Sequence, residues 1–127
     1  MVERERASAR VIVMSDHEDW RGPLTLPERE ETLSRMDALR DEIDRLDEVL
    51  VRLLNARAGC ALKIGALKKR LEMEIYQPSR EEAVLRHVRE TNAGPLDSDA
   101  IARLFERIID EARRLERVVQ EREGKFQ

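Results

Sequence analysis

The sequence predicts an all-α fold with one very long first helix and two shorter helices. Aromatic residues make up only 3% of the 127 residues, whereas the helix-favouring residues alanine, leucine, glutamate and arginine are abundant. Apolar residues recur at helical spacing over most of the chain from residue 36 onward. The four prolines all lie at or outside the ends of these periodic segments, which is typical of helices that proline begins or ends.

The first helix is predicted over about residues 28–72. Pro27 suits the first turn of a helix, and the glutamates that follow it favour the positive end of the helix dipole. Two rows of mainly apolar residues then repeat every seven positions, as in a coiled coil: Met36, Ile43, Leu50, Ile64 and Leu71, and Leu39, Leu46, Leu53, Cys60 and Leu67. Such a helix is about 65 Å long at ~1.5 Å per residue. Two shorter helices cannot cover it, so we expect an intertwined homodimer.

The remaining boundaries follow from proline, glycine and capping residues. A short connector, EMEIYQPS, leads to a second helix that begins near Pro78 and ends at the sequence NAGP. Asp97 or Ser98 then caps a third helix, which we expect to fray around Gly124. The helical domain is therefore predicted over residues 27–123. Residues 1–26 are expected to form an irregular or weakly structured extension, and residues 124–127 a C-terminal tail.

Composition excludes several classes of function. The net charge of −3 argues against a nucleic-acid partner, since such proteins usually show a basic excess. No apolar run approaches the ~18 residues of a membrane span, and the N-terminus does not resemble a secretory signal. The single cysteine, Cys60, lies in the helical repeat and is expected to be a small buried thiol. We therefore expect a cytoplasmic protein with no membrane association.

The sequence also lacks the patterns of most cofactor and metal sites. It contains no phosphate-binding glycine loop, no dinucleotide motif and no GxSxG. The two histidines, His17 and His87, have no ligand spacing that supports a metal site. If the protein is an enzyme, we expect it to work without a cofactor, a metal or a covalent nucleophile.

Arg57 is the first residue with a chemical implication, because it occupies a position of the first heptad row. A buried arginine is costly unless it is paired. It could set the register of a coiled coil or pair with a carboxylate of the third helix. Alternatively, it could face a cavity and await an anion.

Two further cations bear on that choice. Lys68 lies eleven residues after Arg57, so the two residues point in directions only ~20° apart and are separated by roughly 16 Å along the axis. The low surface around Gly65 leaves room between them for a small dianion. Arg40 lies about 26 Å from Arg57 along the helix. It could serve the same ligand only from the partner helix of an antiparallel dimer.

These residues carry a resemblance to a known family. The motifs LR-x-x-I-x-x-LD, N-A-R, G-x-x-K, P-x-RE and LF-x-x-II occur in that order. The pattern resembles the AroQ-type (all-helical) chorismate mutases over about residues 33–119. The resemblance implies conversion of chorismate to prephenate in the biosynthesis of phenylalanine and tyrosine, without a cofactor.

The resemblance also assigns the cations. Arg40 matches the arginine that binds a substrate carboxylate across the dimer, and Arg57 matches the carboxylate-binding arginine within the subunit. Lys68 matches the lysine that contacts the ether oxygen and a carboxylate. Arg80 matches an arginine that supports the anion site.

Two glutamates complete the implied site. Glu81 matches the residue that orients the ring hydroxyl, and Glu116 matches the position that hydrogen-bonds the ether oxygen. Glu116 donates a proton only when it is protonated. Burial raises the pKa of a carboxyl, whereas nearby cations lower it. We expect activity to fall as pH rises through neutrality.

Two positions depart from the family pattern. Gln77 stands where many members have Asp, and its backbone could still serve the hydroxyl. Ala112 stands where some members have Ser, so one hydrogen bond to the substrate would be absent. Both departures bear on substrate affinity.

Two other functions stay open from the sequence. The same scaffold serves isochorismate-pyruvate lyases, which act on a related dicarboxylate. A non-catalytic helical dimer that regulates a partner enzyme of the shikimate pathway is the second alternative. A generic coiled-coil adaptor does not explain why Arg57, Lys68, Arg80 and Glu81 occur together.

Overall fold

The computed structural model of the protein describes residues 22–125, with side chains through Gly124. It contains three helices, α1 (Leu26–Arg70), α2 (Pro78–Thr91) and α3 (Ser98–Lys125). No strand occurs within residues 22–125, so the all-α prediction is confirmed. The expectation for the N-terminal extension falls mainly on residues 1–21, which lie outside the described residues. The division into extension, domain and tail stays a prediction.

The helix α1 begins at Leu26, two residues before the predicted start. Thr25 caps it, because the Thr25 hydroxyl accepts a hydrogen bond of 3.2 Å from the backbone N–H of Glu28. The Glu28 carboxylate in turn accepts a 3.0 Å hydrogen bond from the N–H of Thr25. This reciprocal pair is a capping box, which satisfies two backbone donors that a helix start leaves free.

The other end of α1 lies at Arg70, two residues before the predicted end. Glu72 adopts a left-handed backbone conformation, with φ 59°. Two hydrogen bonds close the helix around it: the N–H of Met73 donates to the carbonyl of Lys68 at 2.8 Å, and the N–H of Glu72 donates to the carbonyl of Lys69 at 3.1 Å. This pattern is the Schellman cap, which normally uses glycine at the left-handed position. The cap turns the chain sharply after Lys68.

The turn between α2 and α3 is held by side chains at both helix ends. The Asn92 amide donates a 2.8 Å hydrogen bond to the carbonyl of Leu96, and its oxygen accepts one of 3.1 Å from the N–H of Gly94. Asp97 caps α3, as expected, by accepting a 2.7 Å hydrogen bond from the N–H of Ala100. α3 then continues through Gly124, where fraying was expected, to Lys125.

The chain forms two compact units, with the boundary between Arg52 and Leu53 inside α1. In the first unit, every described residue from 23 to 52 is exposed. In the second unit, α2 packs against α3. The buried positions of α3 recur every seven residues, at Ala102, Ile109 and Glu116. A carboxylate therefore occupies the third position of a buried row.

The apolar residues of both heptad rows of α1 are solvent-exposed. Cys60 was expected to be buried, and that expectation is wrong, because its side chain is exposed. The leucines of the same row are exposed too: Leu39 is 62% exposed, Leu46 60% and Leu53 60%. A heptad row is normally covered by a partner helix, and none of residues 22–125 covers these leucines. Among the described residues, no helix has the length and apolar character needed to span a bilayer.

Candidate active site

A cavity of about 380 Å³ opens between the helices of the second unit. Its volume lies within the ~300–1,000 Å³ range of small-molecule sites. All three helices and the connector between α1 and α2 contribute side chains to its wall. The polar lining residues are Arg57, Cys60, Lys68, Gln77, Arg80, Glu81, Arg113 and Glu116.

The cavity brings together seven of the eight site residues predicted from the sequence. Beside the six predicted polar residues, Ala112 also lines it. Arg40 is the exception: it belongs to the first unit and its side chain is exposed. The structure thus assembles residues that are up to 59 positions apart (57 to 116) around one space.

Lys68 lies on the wall of the cavity with its ammonium group anchored. Its Nζ donates a 2.9 Å hydrogen bond to the carbonyl of Ile75 in the connector. The Schellman cap folds the connector back toward α1 and so brings this carbonyl within reach. Only one of the three ammonium protons is used in this bond, which leaves donors for a ligand.

Arg57 and Arg80 are available to an anion. Neither guanidinium forms an ion pair with another residue in the described part of the chain. Arg57 is half-buried and Arg80 is exposed. Arg57 also lines a second cavity of about 430 Å³, formed with α3 residues such as Ile108 and Leu115. The expectation that Arg57 faces a cavity therefore fits the structure better than an ion pair within the chain.

Glu116 is buried, with only 6% of its surface exposed. It lies directly against the backbone of α1 at Gly65: a Cβ atom added there would be 3.3 Å from Cγ of Glu116 and 3.5 Å from its Oε2. Burial raises the pKa of the Glu116 carboxyl above its ordinary value, and the cations Lys68 and Arg117 oppose this only in part. Of the two influences anticipated from the sequence, burial is the larger.

The connector and the start of α2 position the remaining predicted residues. The carbonyl of Gln77 accepts hydrogen bonds of 3.1 Å from the N–H groups of both Arg80 and Glu81. The Gln77 side chain does not cap α2; its Nε2 donates a 3.0 Å hydrogen bond to the carbonyl of Glu74. Pro78 occupies the first turn of α2, where its missing N–H costs nothing. Arg80 and Glu81 are thus held at a fixed helix start.

Sequence reasoning missed Arg113, which also lines the cavity. Its Nε lies 3.3 Å from Oε2 of Glu81, and its guanidinium stacks 4.9 Å from the centre of the Tyr76 ring. Arg113 also pairs with Asp110, one turn earlier on α3. The available signal was its place three residues before Glu116, on the same face of the helix.

Residues 39–117 match the family of chorismate mutase type II. The chain belongs to this family. The matched segment includes every predicted site residue from Arg40 to Glu116, so the family resemblance inferred from the motifs is confirmed.

Relatives and a solved structure agree with the family. The bifunctional chorismate mutase/prephenate dehydratase of Stutzerimonas stutzeri is 41% identical over 87 residues, which cover 65% of this chain and 24% of that protein. The T-protein of Enterobacter agglomerans is 33% identical over 81 residues, covering 63% of this chain and 22% of that protein. The chain therefore spans about a quarter of the length of the curated relatives it matches.

The solved structure of chorismate mutase (form II) from Thermus thermophilus is 36% identical, with a TM-score of 0.64. The similarity covers 65% of this chain and 94% of that one. The helical fold of about two thirds of this chain is therefore shared with nearly the whole of that chorismate mutase.

Proposed function

We propose that the chain catalyses the rearrangement of chorismate to prephenate. The observation that carries the proposal is that one cavity of the second unit collects Arg57, Lys68, Arg80, Glu81 and Glu116. The reaction is an intramolecular [3,3] rearrangement, in which the ether C–O bond breaks as a new C–C bond forms. No proton transfer or covalent intermediate is needed, so binding and electrostatics supply the catalysis.

Orientation is the first contribution. Chorismate is a dicarboxylate that reacts only when its side chain folds over the ring. Arg57 and Lys68 bind carboxylates from the same face of α1, and Arg80 adds positive charge at the start of α2. Holding two reacting ends in contact lowers the barrier, because the loss of conformational freedom occurs on binding rather than in the transition state.

Stabilisation of the breaking bond is the second contribution. Negative charge develops on the ether oxygen as the C–O bond lengthens, and donors already aimed at that oxygen stabilise it. Lys68 supplies a charged donor, and protonated Glu116 supplies a neutral one. Because burial raises the pKa of Glu116, the protonated form persists to higher pH than in an ordinary carboxyl.

The ring hydroxyl is assigned to Glu81. One carboxylate oxygen of Glu81 faces Arg113, and the other is left to accept the hydroxyl proton. The side-chain amide of Gln77 is engaged with Glu74, so its contribution would require a change of rotamer. Ala112 offers only a methyl group to the cavity. We therefore expect the cations that bind the two substrate carboxylates to contribute more to affinity than the contacts to the ring hydroxyl.

We further propose that the active form is a homodimer in which Arg40 completes the site of the partner chain. The exposed heptad rows of α1 support this, because contiguous apolar surface of this extent usually marks an interface. Leu39, Leu46, Leu53 and Leu67 are each more than half exposed. Arg40 directly follows Leu39, so a helix that buries this row brings the guanidinium to the same interface.

A chorismate-disappearance assay on the purified chain tests the activity. Lys68→Ala and Arg57→Ala should each lower kcat/KM by about 100-fold or more, as for the loss of a transition-state donor. Lys63→Ala is the matched control: Lys63 is an exposed lysine of the same helix and lies outside the cavity wall. Absence of turnover by the wild type would reject the proposal. Turnover of isochorismate instead of chorismate would assign the same site to pyruvate elimination.

Mixing two inactive variants tests the shared site. Arg40→Ala and Arg57→Ala subunits should each form inactive dimers, whereas a mixed dimer keeps one site with both arginines. Random exchange of equal amounts makes about half of the dimers mixed, each with one working site of two, so about a quarter of wild-type activity should return. No recovery, with mixed dimers verified by mass spectrometry, would show that Arg40 does not act across the interface.

The product suggests a place in metabolism. Relatives in which a chorismate mutase is joined to a prephenate dehydratase support the proposal that prephenate from this chain feeds phenylalanine and tyrosine biosynthesis. An enzyme that consumes prephenate is the natural partner. The single cysteine supports the cytoplasm as its compartment.

A further inference from the structure

Arg113 connects three parts of the cavity wall. It projects from α3, its Nε lies 3.3 Å from the Glu81 carboxylate of α2, and its guanidinium stacks on Tyr76 of the connector at 4.9 Å. Its side chain is only 23% exposed. We propose that Arg113 is a positioning residue that holds Glu81 away from the substrate-binding cations. The inference rests on the proposed mutase function and assigns a determinant of substrate affinity within the same site.

The charges around the cavity explain why such a residue is needed. Arg57, Lys68 and Arg80 line the same space as Glu81. A carboxylate free to rotate there would pair with one of these cations, because opposite charges attract strongly in a partly desolvated site. Each such pair would remove a cation from the substrate. Arg113 gives Glu81 a partner on the far helix and so leaves the three cations for the two substrate carboxylates.

The packing of Arg113 makes this restraint firm. A guanidinium stacked on an aromatic ring and paired with a carboxylate is fixed in plane and direction. Asp110 holds the other end of the guanidinium. The Nε atom is buried and has no well-aligned acceptor among the described residues, although Oε2 of Glu81 lies close. A buried unsatisfied donor is costly, so it draws the Glu81 carboxylate toward α3.

The stacking on Tyr76 extends the effect to the neighbouring residues. Tyr76 lies between Ile75, whose carbonyl holds the Lys68 ammonium, and Gln77, whose carbonyl holds the start of α2. Arg113 therefore packs on the middle of the segment that positions both Lys68 and Glu81. A long cation at this place acts on the site without touching the reacting bond.

Steady-state kinetics of Arg113→Met tests the proposal. Methionine keeps much of the length and apolar volume but removes the charge. We expect KM for chorismate to rise about tenfold, the effect of one lost charge-assisted contact, with a smaller change in kcat. Arg114→Met is the matched control, because Arg114 is a neighbour on α3 outside the cavity wall; its KM should stay at the wild-type value.

A double-mutant cycle with Glu81→Gln shows whether Arg113 acts through Glu81. Glutamine cannot compete for cations as a carboxylate does, so Arg113→Met should change KM less than about twofold in that background. A tenfold rise in both backgrounds would overturn the proposal, as would an unchanged KM with only a lower Tm. If Arg113→Met does not fold, Arg113→Lys replaces it in the test. Arg113→Lys should raise KM about threefold, again only when Glu81 is present.

Chorismate turnover by the wild type distinguishes a failure of the proposed function from a failure of the proposed role of Arg113. No turnover of chorismate by the wild type would reject the proposed function. Wild-type turnover with an unaltered KM in Arg113→Met would reject the role of Arg113 alone.

Discussion

Replacing Gly65 with alanine adds one methyl group where α1 lies against the carboxyl of Glu116. The new Cβ would lie 3.3 Å from Cγ of Glu116 and 3.5 Å from its Oε2, so the glutamate has to move by a few tenths of an ångström. Only 6% of Glu116 is exposed, which leaves it few directions for that movement. The substitution therefore tests whether the exact position of this carboxyl governs catalysis.

The expected magnitudes follow from two opposing effects. Alanine is favoured over glycine inside a helix by about 1 kcal/mol, which offsets the cost of the tight contact, so the free energy of unfolding should change little. Catalysis is more sensitive, since misplacing a reacting group by about 1 Å can lower the rate about 100-fold. A shift of a few tenths of an ångström should therefore reduce kcat by about tenfold.

Gly59→Ala is the matched control on the same helix. Apart from the local helix backbone, no heavy atom of the described residues lies within 4 Å of a Cβ added at Gly59. This variant should therefore gain about 1 kcal/mol of stability and keep wild-type kcat. The measurements are chorismate turnover and thermal unfolding of both variants. Wild-type kcat in Gly65→Ala would refute the reasoning, because it would show that the contact with α1 does not set the catalytic position of Glu116.

Three further changes have outcomes set by single features of the structure. Because only protonated Glu116 can donate a hydrogen bond, kcat should fall about tenfold per pH unit above its raised pKa. Glu116→Gln should flatten that profile. An identical slope in the variant would show that Glu116 is not the donor to the ether oxygen. The native state also holds this proton more tightly than the unfolded chain does. The free energy of unfolding should therefore decrease as the pH rises from the ordinary to the raised pKa. Urea titrations of Glu116→Gln should lack that decrease. Glu72→Gly should stabilise the protein by about 1 kcal/mol, since glycine adopts a φ of 59° without strain, whereas Glu74→Gly should not raise Tm. Asn92→Ala removes three hydrogen bonds of the α2–α3 turn and should cost about 1–2 kcal/mol while kcat stays unchanged. A loss of activity at constant Tm would contradict this assignment.

The sequence predicts the helices well because each has a strong local signal. These signals are the heptad repeats, Pro78 and the cap at Asp97, and each is recognised from a short stretch of sequence. The predicted helix ends lie within about two residues of the observed ones. The errors at α1 have local causes as well. The capping box of Thr25 and Glu28 starts α1 two residues before the start predicted from Pro27. The left-handed Glu72 gave no signal, because glycine usually occupies that position.

The site residues divide according to whether they interrupt a pattern. Arg57 interrupts an apolar row of α1, and a charge in such a row stands out because burying it is costly and needs a reason. Glu116 was assigned by the family resemblance, and its place in the buried row of α3 after Ala102 and Ile109 is visible only in the structure. Arg113 interrupts no row, and its importance comes from Glu81 and Tyr76, which are more than 30 residues away in sequence. Contacts of this kind become visible only when α2 and α3 are placed together.

The same contacts give the cavity its balance of charge. Arg113 offsets Glu81, and burial raises the pKa of Glu116 above its ordinary value; both effects reduce the negative charge that the carboxyls set against Arg57, Lys68 and Arg80. A dianion entering the cavity therefore meets a wall of net positive charge that is spread over several side chains. In the proposed reaction, Arg113 acts through Glu81 on substrate binding, whereas Gly65 sets the position of Glu116 at the breaking bond. Arg113→Met should therefore act mainly on KM and Gly65→Ala mainly on kcat.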